Sequence, residues 1–287
     1  MVNAFDTVRG AAFQFRFAPV EIVEGGAGPD TINVLYGNSA SKTTHVTVNG
    51  SPSGFEKTFV NRGGIMAGDR LMLRDAATGT CTLIEVTRSL GNPVAQTIEH
   101  QIGNYLNFYT GLNGAARMNN GVAIGMTDGT AYTLGPNPQF NSWTATEPPA
   151  LPSLTVTRAF GANIAEQIAE DVIDLQAQYG INQPGGILWF NADALPVGFS
   201  FDQVWAIRYG ILVRGRQYEP PMGNAPPFAW VTAAAPVWAT PPIAFAMRDV
   251  MGAADTDQAN ATNWRGYRYS VYEGVVPLRN MLWGQTP

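Results

Sequence analysis

The chain holds two histidines, His45 and His100, and both fall in stretches whose alternation predicts strands. Neither has a Cys, Asp or Glu at the spacing of a metal-ligand set or a catalytic pair, so neither is given such a role. Glu166, Glu170, Asp171 and Asp174 form an acidic cluster. Paired carboxylates do acid–base work when a cleft raises the pKa of one of them. Here the cluster falls where a short helix is predicted, and a solvated helix face is the simpler reading. The stretch Asp255-Thr-Asp-Gln-Ala-Asn offers oxygen ligands at alternate positions, a faint calcium pattern, but it lacks the Gly and terminal Glu of a calcium loop. Gly-x-Ser-x-Gly, His-Glu-x-x-His and P-loop motifs are absent. Gly25–Gly28 and Gly121–Gly125 lack the helix opening of a phosphate cradle. The single Cys81 excludes an internal disulfide. The seven tryptophans could form a glycan-binding surface, and core or interface packing is favoured over it. No catalytic, cofactor-binding or metal residue is assigned, no cofactor is expected, and the chain reads as a non-enzyme.

What must position these groups is set by composition. At 287 residues, 45% apolar and 14% charged with 31 Gly and 20 Pro, the chain suits a β-rich, loop-rich domain and is too apolar for disorder. Only Lys42 and Lys57 among the 17 basic residues are lysines, and the net charge is −5, which argues against a nucleic-acid surface. No apolar run approaches the ~20 residues of a membrane-spanning helix, and no signal-peptide pattern opens the chain.

Asn163–Ile181 organises the sequence because its hydrophobic period changes halfway. Asn163 as N-cap, Glu166 at the third position of a capping box, and Ile164 and Ile168 four apart predict a short helix near 163–171. From Ile173 the pattern alternates: Ile173, Leu175, Ala177, Tyr179 and Ile181 against Asp174, Gln176 and Gln178. That predicts a half-buried strand ending in a turn over Gly180–Gly186. Elsewhere, Phe5, Val8, Ala12 and Phe15 fit helical spacing. Strands are expected at Thr31–Tyr36, Thr43–Val48, Phe55–Val60, Arg70–Arg74, Cys81–Thr87, Thr97–His100, Tyr105–Tyr109, Ala131–Leu134, Leu154–Arg158, Gln203–Arg214 and Tyr267–Val276. Arg70–Arg74 and Cys81–Thr87 are expected to pair as a hairpin. Pro-rich Gly135–Pro152 and Glu219–Pro242 read as surface connections.

Several stretches, in order, resemble the globular head of PilW-type minor pilins of type IV pili. They are Pro29-Asp-Thr-Ile-Asn-Val-Leu-Tyr-Gly-Asn, Ala67-Gly-Asp-Arg-Leu-Met-Leu, Cys81-Thr-Leu-Ile-Glu-Val-Thr, Ile168–Ile181, Val204-Trp-Ala-Ile-Arg-Tyr-Gly-Ile-Leu-Val-Arg and Tyr267-Arg-Tyr-Ser-Val-Tyr-Glu-Gly-Val-Val-Pro-Leu-Arg-Asn-Met. The resemblance runs from about Phe17 to the end of the chain. It implies an α+β, β-rich, pilin-like head: antiparallel sheets, one short helix near 163–171, and a single domain over 1–287. Such pilins begin with a prepilin peptidase site and a long hydrophobic helix. Neither is present here, so the chain would be the soluble head alone, with an exposed apolar stripe and poor solubility. Many relatives carry an Asp-rich loop where this chain has Asn182-Gln-Pro-Gly-Gly, and no metal site is carried over.

The implied role is structural: joining other minor pilins, the major pilin and in many systems a large tip adhesin to prime assembly and form part of the pilus tip. That supports adhesion, twitching motility and, in some systems, DNA uptake. The implied location is the bacterial inner membrane and periplasm before assembly and the extracellular pilus afterwards, with membrane contact only through the N-terminal helix. The loops Glu219–Pro242 and Gly252–Trp264 are the expected contact surfaces. The alternatives are a J-type pseudopilin of a type II secretion system, a phage virion or tail protein, and a carbohydrate-binding module.

Overall fold

Alternation of apolar and polar side chains becomes extended backbone almost everywhere in the computed structural model, which describes residues 1–39, 45–90, 96–146, 151–219, 222, 230–240, 242–247 and 263–278. In chain order the strands are β1 (Val2–Asp6), β2 (Ala11–Phe15), β3 (Val20–Val23), β4 (Thr31–Tyr36), β5 (Val46–Gly50), β6 (Glu56–Phe59), β7 (Arg70–Asp75) and β8 (Cys81–Glu85). Next come β9 (Arg88–Leu90), β10 (Thr97–Glu99), β11 (Asn104–Leu106), β12 (Asn113–Ala115), β13 (Gly129–Gly135), β14 (Gln139–Ala145), β15 (Ser153–Arg158) and β16 (Ala165–Glu170). The last are β17 (Val172–Gln183), β18 (Gly186–Phe190), β19 (Val204–Arg214), β20 (Val237–Trp238), β21 (Ile243–Ala244) and β22 (Tyr269–Pro277). Among the described residues the only helical turns are 3-10 turns at Phe201–Gln203 and Asn263–Gly266.

The chain divides into two compact units. The first comprises Met1–Pro19, Val34–Asn141 and Arg158–Ile164; the second comprises Val20–Asn33, Ser142–Thr157 and Ala165–Pro287. The first is built on a nine-stranded sheet of order β2-β1-β8-β7-β13-β5-β6-β10-β9. One core cluster there is aromatic and sulfur-rich (Phe15, Met72, Met118, Phe140, Phe160), and another is aliphatic around Val48, Leu71, Ile84 and Ile98. The expected β7–β8 hairpin is present, with Arg70 opposite Glu85 and Arg74 opposite Cys81. The second unit holds a four-stranded antiparallel sheet of order β18-β17-β19-β22 and most of a five-stranded sheet of order β16-β15-β14-β4-β3.

The α+β expectation fails. There is no helix at 163–171. Asn163 takes a left-handed φ of 56°, and its side-chain oxygen accepts from Arg9 Nη1 at 3.2 Å instead of capping a helix. Ala165–Glu170 form β16, antiparallel to β15, with Thr157 opposite Ala165 and Ser153 opposite Glu170. Extended backbone paired with β15 cannot also close the i to i−4 bonds of a helix. Ile164 and Ile168, four apart, lie exposed. Asp171, also left-handed at φ 59°, makes the corner into β17.

Three further departures share that cause. The helical spacing over Met1–Phe17 gives way to a β1–β2 hairpin with Val2 opposite Phe15. The Gly135–Pro152 connection contains β14, whose Phe140 and Ala145 are buried. The turn after Tyr179 comes late, at Pro184–Gly185, so β17 runs to Gln183 and pairs with β18. Gly252–Trp264 lies outside the described residues as far as residue 262. No helix among the described residues is long and apolar enough to cross a membrane.

Candidate assembly surface

β17 is buried on both faces over most of its length, more deeply than the half-buried strand its alternation predicts. On one face Tyr179 packs against Phe199 and Phe201, and its hydroxyl accepts from the Ile22 amide. A buried carboxylate fixes the same strand. Asp30 accepts from the Ala177 amide at 2.8 Å and the Gly25 amide at 2.9 Å. Its own amide donates to Leu175 O at 2.7 Å. Burial pushes the Asp30 carboxyl up to about 7, against the lowering effect of those two amides.

Burial then falls away across the sheet. Leu175, Ile211 and Tyr272 are aligned on β17, β19 and β22. Their exposure climbs from 2% at Leu175 to 61% at Tyr272. In a second row on the same face it climbs from 1% at Tyr179 through 5% at Ile207 to 43% at Val276. Among the described residues β22 is the last strand of its sheet, paired on one side only. At the opposite end, β18 exposes Ile187 and Leu188. An apolar strand edge in solvent is a template for pairing unless another chain covers it.

Aromatic rings, one on each face of this sheet, explain two of its mid-strand glycines. A Cβ on Gly210 would stand 2.6 Å from the Trp238 ring, and one on Gly274 would stand 2.5 Å from the Tyr209 ring. Each glycine lets an aromatic side chain approach the backbone closely. Trp238 is thereby a core residue with Ile173, Leu212 and Phe245, although the sequence places it in the loop Glu219–Pro242 expected to make contacts. β20–β21 pairing also turns part of that loop into a small hairpin. Residues 220, 221, 223–229 and 241 of it lie outside the described residues.

The first unit carries its own exposed apolar feature. The β11–β12 hairpin and its flanks expose Ile102, Leu106, Phe108, Leu112 and Val122. Its base is fixed by two tyrosine–carboxylate bonds. Tyr105 Oη donates to Glu85 Oε1 at 2.5 Å and Tyr109 Oη to Asp69 Oδ1 at 2.6 Å. Burial and these carboxylates push both phenols above their ordinary range.

The chemistry-bearing residues of the sequence are dispersed. His45 is exposed beside Tyr132, at 5.8 Å between rings. His100 is buried, and its Nε2 lies 3.3 Å from Lys57 Nζ. Lys57 is fully buried, and Nζ also donates to Gly54 O, Glu56 O and Ser51 Oγ. Burial, then the neighbouring ammonium, lowers His100 to about 4, and burial lowers Lys57 to about 8. The acidic cluster is split up: Glu166 and Glu170 are exposed on β16, and Asp171 pairs with Arg214 and Arg216. Asp174 is buried, accepting from the Leu175 amide and from the Ala246 amide at 3.0 Å. Among the described residues no group of His, Cys, Asp and Glu could hold a metal ion, and Asp255–Asn260 lies outside them. Buried charges such as Asp30, Lys57 and Arg208 shape the sites the sequence reading missed. The one available signal was a charged residue isolated within an apolar alternation, as in Trp205-Ala-Ile-Arg208-Tyr-Gly-Ile.

Residues 140–280, which take in the four-stranded sheet and its open edge, match the family model of PilW, the type IV pilus-assembly protein W. Over this stretch the protein is PilW-type. The match gives this region a part in type IV pilus assembly, a structural role, which implies contact with other pilus components and a place in the cell envelope. In this region the only regular elements among the described residues are strands and 3-10 turns. No curated protein and no solved structure matches the chain.

Proposed function

We propose that the protein is a structural minor pilin that primes type IV pilus assembly and forms part of the pilus tip. Its partners are other minor pilins and the major pilin, and its work is interface burial, with no bond made or broken. The observation that carries this reading is the PilW match laid over a sheet whose apolar rows run out to an uncovered strand, β22. Tyr272 and Val276 share one sheet face there, so a partner strand or loop seated on the edge gains their apolar area at once. Adhesion, twitching motility and DNA uptake follow from the tip position. Before assembly the protein resides in the inner membrane and periplasm.

The test is a Tyr272→Glu, Val276→Glu double variant of the full chain. Both residues are exposed, so melting and tryptophan fluorescence should stay unchanged, while co-purification of neighbouring pilins and restoration of pili in a deletion strain are lost. Undiminished capture and piliation with the double variant would refute the β22 surface. Normal piliation in the deletion strain itself would refute the assembly role.

A further inference from the structure

β22 turns its main chain toward solvent in a fixed pattern. Among the described residues it pairs with β19 alone. Gly215 N–H donates to Arg268 O at 2.7 Å at one end of this ladder, and Leu278 N–H to Trp205 O at 2.8 Å at the other. The register runs between them without a break. Antiparallel pairs alternate between bonded and non-bonded, so Ser270, Tyr272, Gly274 and Val276 bond to β19. The amides and carbonyls of Tyr269, Val271, Glu273 and Val275 therefore face outward. Pro277, which has no N–H, also falls at an outward position, where the ladder does not miss it.

The side chains of this edge match themselves when the strand is reversed about Gly274. On one face Tyr272 and Val276 flank that glycine, 61% and 43% exposed. Between them lies the end of the Tyr209 ring, its Cζ and Oη each 2.5 Å from where a Cβ on Gly274 would stand. On the other face Glu273 and Val275 flank the glycine, both exposed. An antiparallel copy centred on Gly274 sets Tyr272 against Val276 twice, an aromatic on a β-branched residue, and Glu273 against Val275. The outward residues then form hydrogen-bonded pairs, with about six main-chain bonds. Neighbouring centres fit less well. Centring on Glu273 puts two carboxylates directly opposite each other, which is destabilising. Centring on Tyr272 sets Val276 against Arg268, whose Nε is already held by Glu219 at 2.6 Å.

We propose that β22 pairs with β22 of a second copy of this chain about a two-fold axis at Gly274, joining two four-stranded sheets into one. A single strand pairing buries less than the roughly 1,600 Å² of a standard interface, so the dimer is weak, with a dissociation constant on the order of tens of micromolar. Self-pairing thus covers the apolar edge until another pilin displaces the second copy. The pairing shares the β22 edge with the assembly reading, but its test contains no other pilus component, so each can fail without the other.

In a Cys81→Ser background, Tyr272→Cys and Val276→Cys are made in separate full-length chains, one of them with a size tag. On mixing and oxidation the two should cross-link to each other, because opposed residues of a non-bonded pair stand about 4.5 Å apart between Cα atoms, within disulfide reach. Neither should cross-link to itself. Val275→Pro removes an outward N–H and leaves the β19 ladder intact. In sedimentation velocity at about tenfold above the expected dissociation constant, wild type should be mostly dimer and Val275→Pro monomer, with an unchanged melt. A monomeric wild type, or a Val275→Pro chain that dimerises like it, would overturn the proposal. Cross-linking of Tyr272→Cys to itself as strongly as to Val276→Cys would overturn the axis at Gly274. The assembly reading is decided apart from this, by piliation of the deletion strain.

Discussion

Asp30 makes the stability of the second unit fall as pH rises, and the size of that fall can be worked from its surroundings. The carboxyl is 1% exposed and holds β17 through the Ala177 and Gly25 amides. Burial raises it from 3.8 to about 7, so the folded state binds this proton more tightly than the unfolded chain. The stabilisation that the proton brings is therefore present in full below about pH 3.8 and lost as pH rises through about 7. At about 1.4 kcal/mol for each tenfold change in proton affinity, the loss comes to about 4 kcal/mol. Glu24, raised by burial and by Asp193, acts in the same direction. The assay is urea unfolding followed by tryptophan fluorescence, which the first unit does not contribute because it has no tryptophan. The wild-type unfolding free energy should drop by a few kcal/mol between about pH 4 and pH 7, and Asp30→Asn should flatten the profile to within about 1 kcal/mol. Asn keeps one acceptor and gives up the other, so the variant loses roughly one hydrogen bond, about 1 kcal/mol, at the acid end. A wild-type profile that is flat or rising, or an Asp30→Asn profile with the wild-type slope, would refute the account of Asp30 as a buried, desolvated carboxyl.

The first unit should respond with the opposite sign. His100 is depressed from 6.5 to about 4, so the stability it contributes is present above about pH 6.5 and is lost as pH falls through about 4. Hydrogen exchange of the β6 and β10 amides should accelerate over that window, and His100→Gln, which keeps an acceptor for Lys57, should remove the change. Gly210→Ala pushes a methyl group into the Trp238 ring at 2.6 Å and should cost about 1–3 kcal/mol in a thermal melt. Gly125→Ala, which meets nothing within 4 Å, should leave the melt unchanged or slightly improved.

Much of the strand pattern was legible because alternation survives wherever one face of a strand is dry. Thr31–Tyr36 emerges with the bounds its sequence suggests, and the strands of the four-stranded sheet follow the apolar rows of Ile173–Ile181, Gln203–Arg214 and Tyr267–Val276. The failures are where a local signal was outbid by the ladder. Asn163, Ile164, Glu166 and Ile168 carry every mark of a capped helix, yet Ala165–Glu170 pair along β15 as an edge strand. The same holds for Phe5, Val8, Ala12 and Phe15, whose helical spacing spans a hairpin turn at Thr7–Gly10. Both are hairpin pairings of consecutive strands, in which each residue's partner lies beyond the one-turn spacing by which a helix pattern is read.

The candidate surface was harder to read than the fold for a related reason. Alternation says which side chains share a face, and Tyr272 and Val276 were rightly placed on strand rows, but it does not say which strand ends the sheet. Exposure of those two residues is a property of position: the apolar row Leu175–Ile211–Tyr272 reads the same on a central strand as on an edge. What turns the row into a surface is that β22 pairs with β19 and with no other strand of its sheet. The buried arginine obeys the same logic. Arg208 stands in a sequence that otherwise asks for a core strand, and a charge there is tolerable only with acceptors and aromatic faces supplied from elsewhere: Gln178 from β17, Trp189 from β18, and Trp238 and Thr240 from a segment the sequence presents as a loop. A charged residue set alone in an apolar alternation is thus a signal that a site exists, while the identity of the site waits on which strands become neighbours.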